Sequence, residues 1–468
     1  PEENRGDPAM ERAAATWRGE YWKTGTGGAV WNSITFDSEL NRIYIGTGNA
    51  GPYDPEMRSP GGGDNLYTAS IVALDADTGK YVWHYQVNPR DSWDYDCTEQ
   101  MTLADLVIDG QPRNVLMQAP KSGFFYVLDR GTGKVISAEK LGKVTWAERI
   151  DLKTGRPVEA KNIRYETGEV FIWPAGIGAH VWMAMSYSPQ TGLVYIPYMQ
   201  MGAHFVKGKL IPGGIHVAGL SVKEHYADAT DGKGALVAWD PLHQKAAWKA
   251  PLETIWNGGT MATAGDVVFQ GAGDGSFSAY NAKTGARLWR TNAGMGIIAS
   301  PMSYAVGGKQ YVSILAGYGA SASAWGDLMN VGWKYAAPRR LLTFALDGKA
   351  ALPRSPPPDR TVHAVDDPSL KLNPADVAAG HELYVACMAC HGRELIAIGG
   401  PAPDLRESRI ALDPEGLWGV VHDGALMPKG MPQFPMFSRD QVRQIYAFIR
   451  ASAREVLSPE TRPSPTPQ

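Results

Sequence analysis

Cysteine is scarce in this chain, with three residues in 468, at positions 97, 387 and 390. A disulfide-held scaffold is therefore excluded, because such scaffolds need a denser and even-numbered set. Cys97, remote from the other two, reads as a buried structural thiol. Neither sign of charge dominates: 45 Lys and Arg stand against 48 Asp and Glu. At a net −3 there is no electrostatic case for a nucleic-acid partner. No apolar run is long enough to span a bilayer, since charge-free stretches such as 291–308 are broken by Gly, Ser, Asn and Pro. No Gly-x-Gly-x-x-Gly follows a strand, which leaves a nicotinamide or flavin Rossmann unit unsupported. A secretory leader is also missing, and residues 1–10 read as the middle of a loop. Glycine (53) and tryptophan (15) are plentiful, which favours a repetitive β architecture. The length exceeds what one ordinary core supports, so two or more domains are expected.

Two of the three cysteines fall in Cys387-Met388-Ala389-Cys390-His391. Cys-x-x-Cys-His is the attachment signature of a c-type haem, with both thiols bonded to the porphyrin and the His on iron. A zinc half-site, a dithiol redox pair and chance are the competing readings. Zinc normally needs four ligands, and no second cysteine pair exists. A redox pair does not require the His. Met431, in Gly430-Met431-Pro432, lies 40 residues beyond the His in a Pro-rich loop that also holds Met427 and Met436. A thioether is the usual second axial ligand of an electron-transfer cytochrome c, although lone methionines mostly fill cores. Asn373 and Pro374 predict a helix start before the motif. Ser438 and Gln441 form a capping box after it, opening a helix with Val442, Ile445, Tyr446 and Ile449 on one face. This layout predicts a small all-α cytochrome c domain.

Upstream, from about residue 30 to 350, one theme repeats: a β-rich run, then a turn of the form Asp-x-x-Thr-Gly, often closed by Trp. The marks are Asp75-Ala76-Asp77-Thr78-Gly79 with Trp83, Asp129-Arg130-Gly131-Thr132-Gly133, Pro189-Gln190-Thr191-Gly192, Asp240-Pro241 with Trp248, and Asn281-Ala282-Lys283-Thr284-Gly285 with Trp289. Read as one mark per sheet, they predict a mainly β fold with about five blades of a β-propeller, each Trp packing between neighbouring blades. The expected domains are a propeller over 1–352, a Pro-rich tether over 353–372, the cytochrome over 373–456 and a disordered tail over 457–468.

Polar and aromatic residues cluster in stretches that read as blade-end loops: Trp31 in Gly27-Gly28-Ala29-Val30-Trp31, Asn49 in Ile45-Gly46-Thr47-Gly48-Asn49, the acidic run from Asp91 to Asp96, and Lys121 in Ala119-Pro120-Lys121-Ser122-Gly123. Taken alone, these read as a packing Trp, a turn Asn, capping carboxylates and a surface Lys. Together with Ser59-Pro60-Gly61-Gly62-Gly63-Asp64-Asn65, Trp256-Asn257-Gly258-Gly259-Thr260-Met261-Ala262 and the haem motif, they resemble the quinohaemoprotein alcohol dehydrogenases. The resemblance runs from about Arg12 to Ile449. It implies an eight-bladed propeller holding pyrroloquinoline quinone (PQQ) and calcium, followed by a cytochrome c.

Carried over residue by residue, Trp31 resembles the indole on which the quinone stacks, Asn49 a calcium ligand, and Lys121 the cation beside the quinone oxygens. Asp94 resembles the catalytic base and a calcium ligand, which leaves Asp91 and Asp96 as turn caps or as carboxylates with a calcium-only role. Trp182 and the run Gly296-Ile297-Ile298 resemble further pocket contacts. Cys387 and Cys390 resemble the covalent haem attachment, with His391 and Met431 on iron. The implied activity is periplasmic oxidation of alcohols to aldehydes or ketones. Electrons would pass through haem c to an external acceptor: a copper protein, a cytochrome or a membrane quinone pathway. The protein would be soluble or peripherally membrane-associated.

Ala29 and Val181 depart from the family's polar residues. The family's N-terminal blades, with a vicinal disulfide, an Arg and a calcium-binding Glu, have no counterpart here. A chain starting at Pro1 is therefore not expected to bind quinone tightly or turn over alcohol unaided. An incompetent propeller-cytochrome acting in electron transfer, or one completed by another chain, is the alternative.

Overall fold

Alternating strand patterns and short polar turns build the first part of the chain into antiparallel sheets that follow one another in sequence. The computed structural model describes residues 5–23, 26–208, 215–217, 219–317, 325, 339–352, 354, 361–397 and 402–458. The core of the expected tether (353 and 355–360) and most of the expected tail (459–468) lie outside the described residues. The chain divides into two units: Pro1–Ala293, Ile297–Leu315 and Leu341–Ala350 form one, and Gly294–Gly296, Ala316–Arg340 and Ala351–Gln468 the other. Among the described residues, no helix is long and apolar enough to cross a membrane.

In the first unit, five sheets follow the up-and-down order of propeller blades. The first pairs Thr35–Asp37, Arg42–Gly46, Ser70–Asp75 and Tyr81–Gln86; the second pairs Thr102–Ile108, Gln111–Gln118, Phe124–Asp129 and Val135–Lys140. The third uses Ser186–Ser188, Leu193–Gln200, Lys233–Asp240 and Lys245–Leu252; the fourth uses Thr260–Ala262, Val267–Gly271, Ser276–Asn281 and Arg287–Asn292. The fifth has three strands, Met302–Val306, Lys309–Ala316 and Arg340–Phe344. A hairpin, Ala147–Asp151 with Arg156–Glu159, and a further four-stranded sheet that includes Gly202–Lys207 and Leu220–His225 interrupt this series around the third sheet.

The core lies between adjacent sheets. Val115, Phe125 and Val127 of the second meet Val194, Ile196 and Val237 of the third, all fully buried. The tryptophans act across the same joints. Trp83 donates from Nε1 to the Arg130 carbonyl at 3.2 Å, and Trp248 to the Ala282 carbonyl at 2.9 Å. Trp289 meets Phe344 of the fifth sheet at 5.3 Å between ring centroids. Each thus seats against the sheet that follows it.

The turn marks hold locally as expected. Asp75 Oδ1 accepts the N–H and hydroxyl of Thr78 at 2.9 and 2.6 Å, and Asp129 and Asn281 repeat the pattern. Their distribution corrects the reading of one mark per sheet. Pro189–Gly192 joins the first two strands of the third sheet, whose last two strands are joined at Asp240, and the fifth sheet carries no mark. The motif is hairpin chemistry and suits any tight first–second or third–fourth connection.

In the second unit, Asn373 caps Pro374–Leu383 by accepting the Ala375 N–H, and Ser438 and Gln441 form a reciprocal capping box on Arg439–Leu457. Val442, Ile445, Tyr446 and Ile449 are buried against Tyr384, Cys387 and Leu417. The two helices touch at Gly380, where a Cβ would fall 1.9 Å from the Gln444 carbonyl oxygen.

Candidate active site and haem centre

In an up-and-down sheet, the second–third loops and the connections between sheets lie at one end, and the Thr-Gly hairpins at the other. The β unit places its chemistry at the first of these ends. Trp31 precedes the first strand of the first sheet, and Asn49 lies in its second–third loop. Asp94 lies in the connection to the second sheet, Lys121 in that sheet's second–third loop, and Trp182 just before the third sheet.

Lys121 is the hub. Its Nζ lies 3.0 Å from Asp94 Oδ2, 3.0 Å from the Asp94 carbonyl oxygen and 2.6 Å from Asp96 Oδ2. An ammonium has three donors, and all are placed. Burial would depress the Lys121 pKa, but Asp94 and Asp96 hold it above the usual lysine value. Asp96 Oδ1 then accepts the Asn49 N–H at 2.8 Å and the Trp31 indole N–H at 3.4 Å. Trp31, Asn49, Asp94 and Lys121 are thus brought together through Asp96. This corrects the reading of Asp96 as a turn cap. No local pattern marks Asp96, because the backbone turns here and the Asp96 N–H returns to the Asp94 carbonyl at 3.2 Å. Asp91 does cap its turn, accepting the N–H groups of Trp93 and Tyr95 at 3.4 and 3.2 Å.

Asp94 adopts φ +71°, a left-handed conformation uncommon outside glycine and of the kind that gathers at functional sites. Burial raises its pKa to about 6, with Lys121 opposing the rise and Asp96 adding to it. A quarter of the side chain stays exposed, so water tempers the burial effect. Tyr53, which sequence reasoning missed, hydrogen-bonds this carboxyl and helps to hold its charge. Glu99 also belongs to the neighbourhood. It is fully buried, and burial followed by the Asp96 charge pushes its pKa well above the usual range.

These residues fit a flat, anionic cofactor and a hard cation. Trp31 leaves 46% of its surface exposed, an open aromatic face beside a buried ammonium. Trp182 pairs with Trp256 at 6.2 Å and 30° between planes, and its Nε1–H is buried without an acceptor among the described residues. The Trp182 segment is fixed against the lysine: the Ala179 N–H donates to the Lys121 carbonyl at 3.1 Å. A Cβ on Gly178 would lie 2.6 Å from Lys121 Cγ. One ammonium between two carboxylates leaves one net negative charge, which draws a cation toward oxygen donors that include Asn49. Among the described residues no group of three His, Cys, Asp or Glu gathers that could hold a metal. Ala29 is exposed, and Val181 and Ile297 are buried apolar residues.

In the second unit, the motif forms a short helical turn, Met388–His391. His391 Nδ1 lies 2.7 Å from the Pro403 carbonyl oxygen. A carbonyl only accepts, so Nδ1 carries the proton and Nε2 keeps its lone pair for a metal. Burial lowers the His391 pKa, keeping the ring neutral. Burial also pushes the Cys387 thiol up to about 12, which disfavours a thiolate redox pair. Of the loop methionines, Met431 packs against the core that holds Cys387, whereas Met427 and Met436 are more than half exposed. These positions fit a haem attached at both cysteines.

Comparison with known proteins bears on both units. Residues 6–144 and 229–312 match the β-propeller domain of glucose/ethanol/alcohol dehydrogenases, and residues 375–449 match subunit III of cbb3-type cytochrome c oxidase. The quinohemoprotein alcohol dehydrogenase ADH IIB of Pseudomonas putida is 50% identical over 459 residues, covering 96% of this chain and 65% of that protein. The crystal structure of the quinohemoprotein alcohol dehydrogenase of Comamonas testosteroni is 40% identical with a TM-score of 0.81, covering 98% of this chain and 68% of that one. A europium-containing methanol dehydrogenase is 36% identical with a TM-score of 0.60, covering 64% of this chain and 53% of that one. The chain thus spans somewhat under two thirds of its curated relative. At this identity over almost its whole length, the chain belongs to the quinohaemoprotein alcohol dehydrogenase family.

Proposed function

We propose that the protein oxidises alcohols to aldehydes or ketones in the periplasm and passes the electrons, through its own cytochrome, to an external acceptor. The observation that carries this reading is the convergence of Trp31, Asn49 and Lys121 on Asp96, with Asp94 held by the same Lys121 ammonium. In this reading Trp31, Asn49, Lys121 and Trp182 hold PQQ, and Asn49 and Asp94 hold calcium. Cys387 and Cys390 carry the haem, with His391 and Met431 on its iron. Bound there, PQQ would supply a two-electron acceptor, calcium a Lewis acid and haem a one-electron exit.

The chain's own residues do the rest. Asp94, ionised above about pH 6, takes the hydroxyl proton of the alcohol at its carboxylate. Tyr53 steadies that carboxylate, and Lys121 keeps a fixed positive charge where negative charge develops. Asp96 fixes the Trp31 edge and the Asn49 backbone relative to both.

The test is to add PQQ and calcium to the haem-bearing protein, offer a panel of alcohols and follow the haem spectrum. Alcohol-dependent haem reduction that requires PQQ supports the proposal. Reduction by dithionite alone would leave an electron carrier without dehydrogenase chemistry.

A second reading concerns the cation. Asp96 adds a second carboxylate beside Asp94, and one similar protein is a europium-containing methanol dehydrogenase. Greater activation by a lanthanide than by calcium, lost in Asp96→Ala, would assign the site to the higher charge.

A further inference from the structure

The segment bearing Met431 runs from Asp423 to Ser438, between the helices Pro414–Val421 and Arg439–Leu457. Its two ends meet across one indole. His422 lies flat on Trp418, with centroids 3.9 Å apart and planes within 14°. Arg439 Cζ sits 4.6 Å from the centroid of the same ring. Trp418 thus touches both the residue before the loop and the residue after it. Glu415 braces the arginine, with both carboxylate oxygens 2.8 Å from Nη1. Asp423 braces the histidine at 2.8 Å from Nδ1. From inside the loop, the Phe434 N–H donates to the Val421 carbonyl at 2.8 Å, and Gln433 Nε2 to the His422 carbonyl at 2.9 Å. Trp418 and Met431 pack on the same apolar core as Cys387.

We propose that Arg439, Trp418 and His422 form a clip that holds the Met431 loop closed, and so sets how fully the thioether occupies its axial position on the haem iron. This rests on the reading of Met431 as that ligand. The loop makes turn hydrogen bonds of its own, such as the Met431 N–H to the Leu426 carbonyl at 3.3 Å, and the contacts on Trp418 add to these by holding its two ends together. The three residues are positioning residues, since none is assigned to touch the iron. Opening the clip raises the fraction of haem with a vacant sixth position. An external ligand then binds more tightly in proportion.

The test uses the full haem-bearing chain, with imidazole titrated against the ferric spectrum and the haem potential measured in parallel. Arg439→Ala alters a side chain that is 62% exposed, so folding is retained. We expect imidazole to bind about two- to fivefold more tightly than to the parent protein, the range of an exposed cation–π contact. We also expect the potential to fall, because thioether ligation raises it. Glu415→Gln keeps the stack and loses only an exposed ion pair, and should match the parent. Met431→Ala should exceed Arg439→Ala in both readouts. If Met431→Ala shows the large change and Arg439→Ala none, the clip is wrong and Met431 remains the ligand. If Glu415→Gln changes as much as Arg439→Ala, the ion pair and not the stack does the holding, which also overturns the proposal. If Met431→Ala leaves both readouts unchanged, the ligand reading falls and the clip with it.

Discussion

Asp94 and Lys121 set each other's charge. Burial raises Asp94 toward 6, and the adjacent ammonium is the largest force opposing the rise. A base is useful only when ionised, so alcohol-dependent haem reduction should climb as pH passes through about 6 and level off above it. Lys121→Met removes the opposing charge. The acid limb of the pH profile should then move to higher pH. The variant should also lose on the order of 3 kcal/mol of stability, since two carboxylates are left without their cation. Asp94→Asn should cut the rate about 10²-fold or more while leaving the haem spectrum unchanged, and stopped-flow haem reduction measures both.

Among the elements, the close crossing of Pro374–Leu383 and Arg439–Leu457 is the tightest constraint in the second unit. Gly380→Ala places a methyl group against the Gln444 backbone, and backbone cannot swing aside as a side chain can. We expect a loss of about 1–3 kcal/mol in denaturant unfolding monitored by haem absorbance. Helix ends and hairpins were legible in the sequence because their signals are local: Asn373, Ser438 with Gln441, and Asp75 with Thr78 each bond residues within a few positions. The assignment of marks to sheets was less legible, because a Thr-Gly turn does not encode which hairpin of a sheet it closes. Asp96 escaped for a related reason. Its partners Lys121, Asn49 and Trp31 lie 25 to 65 positions away, and only the meeting of loops at one end reveals the bond pattern. Tyr53 and Glu99 gave no sequence signal, since only the bond to Asp94 makes Tyr53 notable and only burial beside Asp96 makes Glu99 so.

Over the whole β unit, joining successive sheets into one core ties ligand binding to global stability. A ligand that binds only the folded chain stabilises it by mass action, about 2.7 kcal/mol at one hundred times its dissociation constant. Thermal unfolding with PQQ and calcium should therefore shift upward with ligand concentration. Trp31→Ala should weaken that shift without altering haem absorbance. The division of the sheets into two ends also has a practical consequence. Thr-Gly hairpins such as the one at Lys80 are exposed and lie at the end away from Lys121. Cys97 is wholly buried, and the proposed haem bonds consume the other two thiols. A cysteine introduced at Lys80 would then be the one thiol open to a maleimide linker. A protein tethered there to an electrode or a bead would keep the loops around Lys121 toward the solution.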